Sequence, residues 1–379
     1  MTNVANNLVS SQSNVSNVRN HLEDVDSIIK ISRGPVFKRI FKASRLQACI
    51  AFTKLVQCVI DKNDRKSWEN LLNFARLAIG NSKRGGKKKK KIQATILNKR
   101  IEAFMAGSPH QAPNSTMKRE PPSLKKQVSA KMAQFDVQGA VRILSSNDSI
   151  LQPSPETINK LKEKHPQKHP NSIDPPDPCD DFDNCFKTNR DNLLKALHSF
   201  KRGAAGGPDG LLPQHVIDMS VESLGEPASK FIDAMVTFMN IIVFPGKVPS
   251  FVRDIFHGAN LIALSKPDGG VRPIAVGCTL RRLAAKIIMH DSRDFCEKEF
   301  RPHQVGVGTP KGGEGAVHAL RAYLADKSSE NKVVLKIDME NAFNTIRRDK
   351  ILHLVKSKIP KIYNFIYQCY AEDSNYFIL

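Results

Sequence analysis

Asp338 closes an apolar run, Lys332-Val333-Val334-Leu335-Lys336-Ile337-Asp338, and is followed by Met339-Glu340-Asn341-Ala342-Phe343-Asn344. Read as a strand, the run alternates. Val333, Leu335 and Ile337 point to one face and Val334, Lys336 and Asp338 to the other, so the carboxylate leaves the strand end opposite the buried stripe. A hard oxygen ligand in that place suits Mg²⁺, which binds through one or two protein carboxylates plus substrate phosphates. Two-metal phosphoryl transfer needs further acids from elsewhere in a fold. The competing assignment is structural: Asp338 caps a helix that begins near Asn341.

A second constellation is Asn260-Leu261-Ile262-Ala263-Leu264, a turn Ser265-Lys266-Pro267-Asp268-Gly269-Gly270, and Val271-Arg272-Pro273-Ile274-Ala275-Val276. Two short apolar runs around Pro-Asp-Gly-Gly predict a β-hairpin with Lys266 and Arg272 on the two sides of its turn. An Arg fork and a Lys ammonium converging there would neutralise several oxygens of a triphosphate. Two solvated charges beside a turn are the plain alternative. A third segment, Gly203-Ala204-Ala205-Gly206-Gly207-Pro208-Asp209-Gly210, has the glycines for positive φ and close backbone approach, and alone reads as a helix-stop loop. Gly306 to Gly312 is GxGxxxG with Pro310 inside it, and no GxxxxGK[ST] occurs, which excludes the dinucleotide and P-loop fingerprints.

The elements around these segments follow from periodicity. Ile40, Phe41, Leu46, Ile50, Leu55, Val56 and Val59, then Trp68, Leu71, Leu72 and Ala75, recur at helical spacing and predict two or three helices over 37–79. Further helices are expected near Ile92 to Met105 and over Lys131 to Leu144. Ser154 is placed to cap a helix whose first residue is Pro155. Residues 165–179 are proline-rich and should be extended. Helices on either side of Pro360 should follow Asp338, and the chain enters another strand after Ser374.

The chain of 379 residues has 58 Lys+Arg against 37 Asp+Glu, a net charge of +21, which points to polyanionic partners. Residues 1–131 hold 26 Lys+Arg against 8 Asp+Glu, so the excess belongs to the N-terminal third. It peaks in Lys87, Lys88, Lys89, Lys90 and Lys91, a run that repels itself and contacts phosphates without reading sequence, or serves as a nuclear localisation signal. The seven cysteines form no CxxC pair, so the usual structural zinc spacings are absent. Without a secretory leader or a long apolar run, the expectation is an intracellular protein, nuclear or cytoplasmic, with no membrane span.

In their order and spacing, Ala204 to Gly210, Leu261 to Val276, Gln304 to Gly313 and Lys336 to Arg348 resemble the reverse transcriptases of non-LTR (LINE-type) retrotransposons. Asp-Met-Glu-Asn-Ala-Phe-Asn is the most specific part, and 37–106 and Ala140 to Leu144 resemble upstream sequence of such elements more weakly. The resemblance implies an α+β chain: right-hand polymerase fingers and a partial palm, preceded by a basic, mainly helical N-terminal region. It divides the chain into a disordered tail (1–35), a basic helical region with the Lys-rich loop (36–106), a linker (107–130), a helical segment with a Pro-rich connector (131–185), and the fingers with the partial palm (186–379). It further implies Asp338 as the first catalytic Mg²⁺ ligand, with the Met339 carbonyl as a second contact. Lys266 and Arg272 would then hold the deoxynucleoside triphosphate, and Phe343 would sit under its sugar and exclude a 2′-OH, against a viral RNA-polymerase reading. The implied partners are an RNA template and a DNA primer, with Lys87 to Lys91 as a nucleic-acid contact. The family also needs a Tyr/Phe-x-Asp-Asp hairpin downstream, which is absent after Asp338, so a fragment inactive by itself is expected. The alternative is a basic nucleic-acid-binding protein without catalysis.

Overall fold

The computed structural model describes residues 18–19, 34–81, 90–108, 123–133, 135–145, 149–307, 309–328 and 331–378. The expected tail (1–35) and the Lys87 to Lys89 part of the lysine run lie almost wholly outside these, as do 109–122 of the expected linker. Three helices open the described chain: α1 (Arg45–Lys62), α2 (Arg65–Leu77) and α3 (Lys90–Met105), so Lys90 and Lys91 start a helix. The break between α1 and α2 is written locally. Asn63 takes a left-handed conformation at φ 48°, and the Asp64 carboxylate accepts from Ser67 N at 2.8 Å, satisfying an end-of-helix donor.

The helix expected over 131–144 is two, α4 (Leu124–Met132) and α5 (Val137–Ser145). Asp136 divides them because its carboxylate accepts from Gly139 N at 2.9 Å and pairs with Lys131, an N-cap arrangement that a continuous helix would forgo. α4 also takes the last residues of the expected linker. α6 (Pro155–Glu163) starts as expected, with Ser154 accepting from Thr157 N and proline in the first turn.

Seven more helices bring the chain to residue 300 and beyond: α7 (Arg190–His198), α8 (Pro213–Met219), α9 (Glu226–Phe238), α10 (Arg253–Phe256), α11 (Thr279–Asp291), α12 (Arg293–Phe300) and α13 (Gly312–Ala325). α14 (Ala342–Thr345), α15 (Arg348–Lys358) and α16 (Tyr363–Tyr370) follow, the last two divided at Pro360 as expected. The one sheet among the described residues is small and mixed, in the order β1 (Val18–Arg19), β4 (Tyr376–Ile378), β2 (Ala259–Ser265), β3 (Val271–Gly277). β2 and β3 are antiparallel, while β4 is parallel to β2. The protein is therefore α+β and mostly helical.

Its main core is shared by the N-terminal helices and the region beginning at 186. Phe52 of α1 meets Phe74 of α2 at 5.3 Å and Phe231 of α9 at 6.1 Å between ring centroids. Trp68, fully buried, lies against Phe238 and Phe256 and satisfies its indole N–H on Asn63 Oδ1 at 2.8 Å. An ion pair crosses the same seam: Arg45 reaches Asp218 of α8 at 2.6 Å, and Asp218 also accepts from Ile40 N. One apolar cluster thus joins 40–104 to 186–288 and to Ile362 and Phe365. Among the described residues no helix is long and apolar enough to cross a membrane.

Candidate functional site

The hairpin forms where the sequence places it. Ala259 pairs with Gly277 at its open end and Ser265 with Val271 beside the turn, which Lys266 N closes on Gly270 O at 2.9 Å with Gly269 at φ 76°. Leu261, Ala263 and Val271 are buried on one face, against Ile158 and Leu161 of α6. Arg272 lies opposite Leu264 on the other face and is exposed; the alternation of the strand carries Lys266, half-buried, to the same side. The second edge of β2 is covered as well: β4 pairs with Ala259 to Leu261, and Leu151 N donates to Ala263 O with Ser265 N on Ser149 O. Residues 149–163, which include the helix expected to start at Pro155, are thus part of the hairpin's support.

The Asp338 segment departs from expectation. Residues 331–339 form no strand, and Val333, Leu335 and Ile337 are 81%, 78% and 67% exposed, so the buried stripe is not made. The physical reason is the lack of a neighbour among the described residues: a lone extended run has no ladder partner and no second layer to cover its apolar side. Asp338 is not a helix cap either. Asn341, at φ 52°, precedes α14 with no side-chain cap. Met339 and Phe343 are 71% and 97% exposed.

What holds the segment is the end of α6. The Lys164 carbonyl, an orphan acceptor at that helix terminus, takes the side-chain amides of both Asn341 and Asn344 at 2.9 Å, while its ammonium pairs with Glu340 at 3.1 Å. α6 therefore touches the hairpin with its apolar face and the Asp338 segment with its C-terminus. Lys266 and Arg272 share one element, and Asp338, Met339 and Phe343 share another; α6 is the link between them. Sequence reasoning missed Lys164, Asn341 and Asn344 in this role. Two asparagines three residues apart, one just before a short helix and one within it, were the only available signal.

The segment beyond α6 is a strap along α15 and α16. Arg347 donates to Asn171 O, Asp349 accepts from Ile173 N, His353 meets Asp174 O, Lys356 donates to Asp177 O, and Tyr363 to Pro176 O. Asn364 then brackets Cys179, accepting from its N–H at 2.8 Å and donating to its carbonyl at 2.7 Å. Proline-rich backbone has carbonyls without enough N–H groups to pair them, and here side chains supply the donors. Asp349 is held well below the usual carboxylate range by the Arg347 guanidinium.

The Gly-Pro-Asp-Gly loop is buried at Gly207 to Gly210 and is a joint rather than a surface stop. A Cβ on Gly207 would meet Cys278 N at 2.5 Å, so only glycine lets the loop lie on the start of α11. Arg76 of α2 donates to Pro208 O, Arg282 to Ala205 O, and Thr279 to Leu211 O. Asp209 is enclosed with Cys278 Sγ 3.6 Å away, and burial, partly offset by Arg76, pushes its carboxyl up to about 6. Its Oδ1 has no hydrogen-bond partner among the described residues.

Magnesium is the metal the sequence implies at Asp338. One carboxylate and one carbonyl are hard oxygen donors of the right kind but too few to hold it, since Glu340 is engaged by Lys164. Among the described residues no three His, Cys, Asp or Glu side chains group as a metal site. No family model, curated protein or solved structure matches this chain.

Proposed function

We propose that this chain carries the fingers and the first metal-ligand segment of a reverse transcriptase of the non-LTR retrotransposon type, an RNA-directed DNA polymerase working on an RNA template and a DNA primer. The observation that supports this reading best is the hairpin, with two cations flanking a Pro-Asp-Gly-Gly turn and a buried support behind it, followed in the chain by Asp338-Met339-Glu340-Asn341-Ala342-Phe343. In this reading Lys266 and Arg272 neutralise the triphosphate of an incoming deoxynucleotide. Phe343 stands where the sugar lies and excludes a 2′-OH. Asp338 and the Met339 carbonyl are assigned to Mg²⁺ in company with further carboxylates; two-metal transfer needs more acids than the segment contains. The role assigned to Lys266 and Arg272 is therefore binding of the triphosphate.

The test is retention of radiolabelled dTTP by the full chain in equilibrium dialysis with Mg²⁺. Lys266→Ala and Arg272→Ala should each weaken binding by about tenfold or more, the worth of a charge-assisted hydrogen bond of roughly 1.5–3 kcal/mol. Wild-type retention by both variants would sink the assignment. So would templated synthesis depending on neither residue.

A further inference from the structure

Residues 332–338 are an open ladder. No backbone N–H or C=O of 332–339 has a hydrogen-bond partner among the described residues, and Val333, Leu335 and Ile337 lie exposed. An unpaired run of β-branched and apolar residues is a template for another strand. A second uncovered apolar surface lies beside it. Lys332 Nζ donates to Tyr323 O at 2.6 Å, near the C-terminal end of α13, and stands 5.5 Å from the Tyr323 ring centroid. On that helix Val317, Leu320 and Leu324 recur at helical spacing and are exposed.

Charge decides which strand fits. In Lys332-Val333-Val334-Leu335-Lys336-Ile337-Asp338 the two ends carry opposite charges. Laid antiparallel on a second copy, with Leu335 opposite Leu335, the run sets Lys332 opposite Asp338 at both ends and Val333 opposite Ile337 on either side of the centre. The three apolar residues of each copy then share one face of the ribbon, and Val334 meets Lys336 on the other. Other registers lose this match. With the centre at Val334, Lys332 faces Lys336; with the centre at Lys336, that lysine faces itself. A slip of one residue sets Val333 opposite Lys336 and Ile337 opposite Lys332, and parallel in-register pairing sets every charge against its like.

Both end groups are available for the match. The Lys332 ammonium has three donors, and Tyr323 O takes one. Asp338 makes no ion pair or hydrogen bond among the described residues. We propose that two copies of this chain associate by antiparallel pairing of residues 332–338 about a two-fold axis at Leu335, with the two α13 helices covering the apolar face. A two-stranded ribbon is marginal in water by itself, and the α13 stripes give it the second layer that it needs. The contact uses the same patch on both copies, so it closes as a dimer. It goes beyond the polymerase reading and does not rest on it; Asp338 is common to both, so association is measured without Mg²⁺.

Sedimentation equilibrium of the full chain tests this. The wild-type chain should pass from monomer to dimer with a Kd on the order of 10 µM, as befits a small interface. Lys332→Asp and Asp338→Lys each replace two opposite-charge pairs by two like-charge pairs, and each should weaken the dimer about tenfold or more. An equimolar mixture of these two variants regains both opposite-charge pairs in a heterodimer, and should associate within about threefold of wild type. Leu335→Lys sets lysine against lysine on the axis and should also cost about tenfold or more. Leu335 is 78% exposed in the single chain, so this variant decides the matter if a charge reversal fails to fold. A chain monomeric up to about 100 µM, a dimer indifferent to Leu335→Lys, or a mixture as weak as each charge variant alone overturns the proposal.

Discussion

α11 and α13 are helices of nearly equal length with opposite fates. α11 buries Leu280, Leu283, Ala284, Ile287 and Ile288 against α7 and the main core, although it carries four charged residues. α13, with two, is the more apolar helix, yet only Gly312 in it is buried, and Val317, Leu320, Tyr323 and Leu324 are 40–55% exposed. The same contrast separates the hairpin from residues 331–339. Apolar periodicity decides that an element forms; burial depends on whether another layer is there to receive it. Stability should accordingly reside in the region built around α1, α2, α9 and α11, and very little in 309–346.

That division can be broken by substitution. Trp68→Ala removes a fully buried indole, its tilted and edge-to-face contacts with Phe238 and Phe256, and the bond to Asn63, and should cost about 3–5 kcal/mol in chemical denaturation. A loss below about 1 kcal/mol would mean that this seam is not the core.

A smaller effect comes from Asp209 in the joint. Its carboxyl moves from 3.8 up to about 6 in the folded chain, so folding takes up a proton between those values and stability falls as pH rises through the window. The full swing is on the order of 3 kcal/mol, since each tenfold rise in proton affinity is worth about 1.4 kcal/mol. Asp209→Asn should flatten that slope between about pH 4 and 6 in thermal or urea unfolding. An unchanged slope would place the titrating group elsewhere.

The smallest effect is expected at Phe343. Its ring is 97% exposed, so Phe343→Ala should change the unfolding free energy by less than about 0.5 kcal/mol, the usual range for surface substitutions. A loss of about 2 kcal/mol or more would show that the exposed region packs in solution and would erase the contrast with α11.

The hairpin was legible because turn chemistry and alternation are local: Lys266-Pro267-Asp268-Gly269-Gly270 dictates its own reversal. The Ser154–Pro155 helix start and the break at Pro360 were legible for the same reason. The division of 131–144 was missed because Asp136 competes with the helix through a side-chain bond to Gly139 that periodicity does not register. The strand ending at Asp338 was misjudged because alternation presumes a partner strand, which no sequence window contains.

For the candidate site, the sequence alone determined the residue types: hard oxygen at Asp338, two cations flanking one turn, and an aromatic ring at Phe343. Tertiary structure alone decided that Lys164 ties the Asp338 segment to α6 and that Asp209 is enclosed beside Arg76. Chemistry resides in single side chains and can be read singly. Juxtaposition of groups more than a hundred residues apart, as with Lys164 and Asn341, depends on how layers pack, and that is a property of the whole folded chain.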